Sequence, residues 1–217
     1  MLTQQQEKRT LFLLAFGVLM IGANLRAPLT AIGSLIPNIQ QDLLLTSAVA
    51  GAITTIPLLA FALFSPFAPR LAESLGMEKV IFYSMIALLI GVIIRSFPST
   101  TLLFTGTILI GLAIAIGNVL IPAFIKLKFP YKIGLMTGLY AVFMNVAGAL
   151  SSGLSVPLAL NNPYGWAGAL AAWSVVIIFA TLLWIPQLRA NEPIDATPTT
   201  EKAPSMLRSP IAWSVTI

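Results

Sequence analysis

Six stretches of the chain, residues 11–33, 48–69, 80–97, 101–125, 133–159 and 165–186, are dominated by apolar side chains. Each is near or above the roughly 20 residues that a helix needs to cross a hydrocarbon core. No water in that core can satisfy a backbone amide, so each segment must close its hydrogen bonds within itself. Charged residues make up only 9% of the 217 positions and hydrophobic ones 58%, whereas a soluble domain carries roughly 25% charged residues. The sequence therefore predicts an all-α membrane protein with six transmembrane helices.

The basic residues orient it. Lys8 and Arg9 precede the first run, Arg70 and Lys79 follow the second, Lys126, Lys128 and Lys132 follow the fourth, and Arg189, Lys202 and Arg208 follow the sixth. If the runs alternate in direction, all of these share one side, and only Arg26 and Arg95 stand apart. The positive-inside rule then predicts a cytoplasmic N-terminus in the plasma membrane. Topology thus accounts for the formal charge of +5, and nucleic acid is not an expected partner. Lys8 and Arg9 also suit the start of a signal peptide, but the run continues to Pro37 without a cleavage site, so no cleavage is expected. With no histidine and no cysteine, neither a metal site, a haem nor an iron–sulfur cluster is expected, and no cofactor is called for.

Within the first run stands Asn24-Leu25-Arg26-Ala27-Pro28. An arginine at bilayer depth is costly and usually marks a solute or ion pathway. Pro28 removes the hydrogen bond to the carbonyl of Asn24, offering a helix break beside the charge. Asn24 and Arg26 are about 200° apart on a regular helix and cannot share a face. The small and polar face through Gly22, Arg26, Thr30 and Gly33 is the one expected to line a cavity, leaving Asn24 to stabilise the proline site.

Along the rest of the chain, Asn38–Asp42 is expected outside the first span, and Thr46 and Ser47 suit the N-cap of the second. Residues 70–79 read as an aqueous loop turning at Gly76. Arg95 is expected to reach the outer headgroups, with a role in solute access as the alternative. On the fifth span Gly134, Gly138, Ala141, Asn145, Gly148, Ser152 and Ser155 recur at helical spacing, a pattern for close helix contact. Asn145 either bonds across helices there or faces a solute, and Tyr140 either faces a cavity or packs. Tyr164 and Trp166 suit interface anchors. Residues 1–188 form the expected bundle, 189–210 a cytoplasmic linker rich in Pro, Thr, Glu and Lys, and 211–217 the start of a seventh helix.

Asn24-xxx-Pro28 in the first span is matched by Asn118-xxx-Pro122 in the fourth. The two spans cross in opposite directions, so the features are related as in an inverted three-plus-three repeat, with paired helix interruptions pointing to a binding region. This arrangement resembles the N-terminal half of a major facilitator superfamily transporter. Asn24–Thr30 with Gly33 resembles the first helix of the cyanate permease and 2-nitroimidazole exporter branch. Asn118–Pro122 with Lys126, and Gly134–Tyr140, resemble its fourth and fifth helices. Leu71, Ala72 and Gly76 fit the signature loop of the superfamily, while Glu73 stands for its aspartate and Ser74, Met77 and Glu78 replace basic residues. The resemblance implies a cytoplasmic gate loop around Glu73 and Gly76, and a second half of the same transporter as partner.

The expected function is secondary transport of a small polar or anionic solute, cyanate-like or nitroimidazole-like, by alternating access. Candidate solute contacts are Arg26, Asn24, Asn118, Tyr140 and Asn145, with Pro28 and Pro122 as helix breaks. All seven acidic residues fall in expected loops or tails, so Arg26 has no intramembrane acid in this half. Its counterpart is either the solute or an acid of the missing half. A proton-coupled exporter of organic compounds and a truncated, non-transporting membrane subunit are the alternatives. An intramembrane hydrolase is disfavoured, because no histidine or membrane carboxylate is available as a base.

Overall fold

The computed structural model describes residues 2–190, with side-chain surroundings over 11–188; the linker beyond residue 190 and the start of a seventh helix lie outside the described residues. α1 (Leu2–Asp42) has 41 residues, about 60 Å at the α-helical rise, against a hydrocarbon core of roughly 30 Å. Asn38–Asp42, expected beyond the span, is instead its last turn, and the Leu43 and Leu45 amides bond back to Ile39 and Gln40. Glutamines at positions 40 and 41 are good helix formers, so leaving the bilayer does not end the helix. The chain turns where Leu44 takes φ 52°.

Thr46 caps α2 (Ser47–Phe64) by accepting from the Val49 amide. After a 3-10 turn at Ser65–Phe67 comes α3 (Ala68–Leu75), and α4 (Met77–Arg95) follows at once. The aqueous loop expected over 70–79 is therefore two helices hinged at a single residue. Gly76 makes this possible with φ 89°, a conformation that costs glycine nothing. α5 (Thr100–Lys128), a 3-10 turn at Pro130–Lys132 and α6 (Ile133–Leu160) come next. The sixth span is two segments, α7 (Gly165–Ala172) and α8 (Ser174–Trp184), divided at Trp173. Among the described residues six helical spans are long and apolar enough to cross a membrane, and there is no strand.

Pro28 and Pro122 do not break their helices; both lie inside α1 and α5, which run on past them. A proline deletes one donor, and in a membrane helix nearby hydroxyls and packed neighbours offset the loss. In α1 the Thr30 hydroxyl adds bonds to the carbonyls of Arg26 and Ala27, in the turn after the freed Asn24 carbonyl.

α1 packs on α6 and α8, and α5 packs on α2 and α4. Exchanging α1 with α5, α2 with α6 and α4 with α8 converts each of these pairs into another, which is the pairing an inverted repeat requires. The tightest approach joins α4 to α5, where a Cβ on Gly106 would lie 2.5 Å from the Gly91 carbonyl oxygen and 2.6 Å from the Arg95 nitrogen. The two backbones touch, and only glycine fits between them.

At the basic end a charged cluster joins α4, α5 and α8. Glu78, expected in water, is buried and pairs with Lys128 at 3.2 Å. The Trp184 indole N–H donates to the Glu78 carbonyl at 3.0 Å, and its ring packs on Phe124. Glu78 lies inside because residues 78, 81, 85, 88, 92 and 95 form the buried stripe of α4.

Two outcomes are expected for the purified chain in detergent. Gly106→Ala should cost about 1–3 kcal/mol through overpacking, while Gly153→Ala, whose Cβ would meet nothing within 4 Å, leaves the thermal midpoint in place. Lys128→Gln, which strands a buried carboxylate, should cost about 3 kcal/mol, and Glu78→Gln clearly less, because Lys128 can turn toward solvent. Equal losses in the last two variants would contradict the asymmetric burial.

Candidate functional site

The site grows from the contact of α1 with α6, which run parallel: Gly22 meets Tyr140, Arg26 meets Gly148, and Thr30 and Ser34 meet Ser151 and Ser152. Small residues on α6 let α1 come close enough for hydroxyls to pair, with Thr30 Oγ1 and Ser151 Oγ 2.5 Å apart and Ser34 Oγ and Ser152 Oγ 2.6 Å apart. The outer part of the stripe on α6 thus serves a helix partner, as expected. Its inner part does not: Cβ atoms on Gly134 and Gly138 would meet nothing within 4 Å. Those glycines face outward from this bundle.

Arg26 lies across the small-residue contact. Its aliphatic stem covers Gly148, where an added Cβ would be 2.9 Å from Arg26 Cγ, and the residue is exposed. It forms no ion pair among the described residues. Asn145, one helical turn before Gly148, is exposed too, and its amide nitrogen donates to the Ala141 carbonyl of its own helix at 2.8 Å. The expected bond across helices is therefore absent among the described residues, and the Asn145 side-chain oxygen points to no described donor.

Tyr140 and Asn118 lie deeper. The Tyr140 ring lies over Gly22, whose place no larger residue can take without moving it, and its hydroxyl donates to Asn118 Oδ1 at 3.2 Å. Leu25 packs onto Gly117 beside them. One turn of α1, the middle of α5 and the start of α6 are thereby joined, with Tyr140 buried and Asn118 half-buried. Pro122 is exposed one turn further along α5.

Asn24 is a correction. It is buried, and its amide nitrogen donates to Met20 O at 2.8 Å and to Val176 O of α8 at 3.4 Å. It ties α1 to α8 on the side away from Arg26. The two asparagines of the inverted pair thus do different jobs: Asn24 anchors a peripheral helix, and Asn118 holds Tyr140.

Arg95 is a second correction. It does not reach outer headgroups: it is 1% exposed and its three guanidinium nitrogens have no hydrogen-bond partner among the described residues. The cause is its register, on the buried stripe of α4 where Gly106 presses against its Cβ. Trp166 is buried, and its indole N–H donates to Asp42 at 2.8 Å, while Tyr164 is exposed. A cavity of about 1030 Å³ near them is lined by Asn38, Asp42, Ser96 and Tyr164 and by none of the expected solute contacts. Glu73 is exposed on α3, three residues before the Gly76 hinge.

Glu78 and Lys128 are the charged pair that sequence reasoning missed. They are 50 positions apart, so no local motif links them, but the apolar spacing of α4 carried the signal for Glu78. No group of three or more metal-ligating side chains occurs among the described residues.

The chain is similar to several membrane transporters. It is 44% identical over 206 residues to an uncharacterized transporter of Bacillus subtilis (strain 168), covering 95% of this chain and 51% of that protein. It is 43% identical over 218 residues to the 2-nitroimidazole transporter of Escherichia coli (strain K12), covering 99% and 54%. It is 24% identical over 199 residues to the cyanate transport protein of the same organism, covering 91% and 51%. The chain therefore spans about half the length of the curated relatives it matches. The family description "Major Facilitator Superfamily" matches residues 11–217. With six apolar helices paired as an inverted repeat and a family match over nearly its whole length, this chain belongs to the Major Facilitator Superfamily.

Proposed function

We propose that the chain forms the N-terminal half of a secondary transporter for a small anionic or strongly polar solute. The solute binds between this half and a second, similar half, and access alternates as the halves rock. One observation carries this: Arg26 is a permanent charge held across Gly148 on the open side of the bundle, without a carboxylate partner among the described residues. A planar guanidinium suits an anion or a planar polar group through paired N–H donors. The naming of relatives as transporters of cyanate and of 2-nitroimidazole supports solutes of that size and polarity.

In this scheme Arg26 binds the solute and Asn145 adds a hydrogen bond. The Tyr140–Asn118 pair fixes the position of α1 beneath them, and Asn24 holds α1 against α8. The basic end faces the cytoplasm, in line with the positive-inside rule. The Gly76 hinge between α3 and α4 gives the Glu73 segment freedom to move as a cytoplasmic gate.

In the full-length transporter reconstituted in liposomes, Arg26→Gln should lower cyanate flux at least tenfold, with Arg26→Lys retaining part of it. Unchanged flux in a folded Arg26→Gln protein would reject Arg26 as the binding residue. The 217-residue chain alone should give no flux above empty liposomes, because half of the pathway is missing; flux from it would overturn the two-half scheme.

A further inference from the structure

The basic end of the bundle contains a second cavity, of about 460 Å³, within the roughly 300–1,000 Å³ usual for small-molecule pockets. One wall is the start of the apolar part of α1, with Leu11, Phe12 and Ala15; the others are the end of α5, the turn after it and the start of α6. The wall is apolar and open: Leu11, Phe12 and Leu135 are 48%, 70% and 60% exposed. The rim is polar, with Lys128, Tyr131 and Lys132.

These groups differ in what they offer. Lys128 is held by Glu78 at 3.2 Å, with its ammonium 5.9 Å from the Phe124 ring centroid, so its charge is largely balanced and its place fixed. Lys132 is exposed and makes no ion pair among the described residues. Tyr131 is 98% exposed and carries a hydroxyl at the same level. Lysines 126, 128 and 132 cluster where α5 ends and α6 begins, so the cavity straddles the boundary between hydrocarbon and headgroups. A soluble anion would satisfy Lys132 and leave the apolar wall bare. An amphiphile satisfies both.

We propose that this cavity binds one anionic phospholipid of the leaflet at the basic end. Its phosphate sits at Lys132, with Lys128 and the Tyr131 hydroxyl as further donors, and one acyl chain lies along Leu11, Phe12 and Leu135. Basic pockets between transmembrane helices on the cytoplasmic side recognise anionic lipid in this manner. The occupied site ties the start of the apolar part of α1 to the α5–α6 turn. The assignment does not depend on which solute is carried.

Native mass spectrometry of the full-length protein, released from micelles doped with equal dioleoyl phosphatidylglycerol and dioleoyl phosphatidylcholine, tests this. The wild type should retain phosphatidylglycerol preferentially, and Lys132→Gln should weaken that retention about fivefold. Lys126→Gln, on the same side but outside the cavity, should leave it unchanged. Ala15→Trp, which fills the cavity without altering charge, should abolish it. Equal losses from the two lysine variants would show diffuse surface attraction and overturn the site, as would no loss from Lys132→Gln. Retention surviving Ala15→Trp, or displacement of the lipid by millimolar inorganic phosphate, would overturn it too.

Discussion

Apolar contact between membrane helices displaces lipid tails that are equally apolar, so association must come from close packing and from polar groups denied any other partner. In this bundle the closest packing is the backbone contact of α4 with α5 at Gly91 and Gly106. A second close approach is that of α1 to α6, where small residues leave room for paired hydroxyls. The placement of Arg26 and Tyr140 follows from the second of these approaches. Gly148 lets the stem of Arg26 lie flat and carry its charge to the open side, and Gly22 admits the ring of Tyr140. Had either position carried a side chain, α1 would be pushed outward and Arg26 with it.

Two arginines lie within the spans, and their surroundings are opposite. Arg26 is exposed, a position that another molecule can reach. Arg95 is sealed inside the half, so nothing beyond the bundle touches it in this conformation. Chemistry does not separate them, since both are permanent cations in apolar helices; the difference lies in which stripe of the helix each occupies. The same stripe of α4 that hides Arg95 at one end buries Glu78 at the other, and only Glu78 finds an ionic partner, in Lys128.

Much of the bundle was legible in the residues. Six apolar runs gave the spans, Gly76 gave the turn, Thr46 gave the cap, and the parallel between Asn24-xxx-Pro28 and Asn118-xxx-Pro122 pointed to the inverted repeat. Helix ends were less legible: α1 continues through Asn38–Asp42 because polarity marks the edge of the bilayer and not the end of a helix. The prolines misled in a related way, as the loss of one donor leaves the remaining hydrogen bonds of a long packed helix in place. Residue type points Glu78 and Arg95 to water or headgroups, although the spacing of their neighbours places both on the buried stripe of α4.

Sequence alone determined that this chain is a six-helix membrane bundle of one superfamily half, with a lone charge in its first span, because helix formation and bilayer crossing depend on local composition and length. Only the tertiary structure decided that Arg26 lies over Gly148, that Tyr140 bonds Asn118, and that Asn24 serves α8. Those outcomes depend on the rotation of each helix about its axis. That rotation is set by which small residues on neighbouring helices meet, and no single segment contains both partners of such a contact.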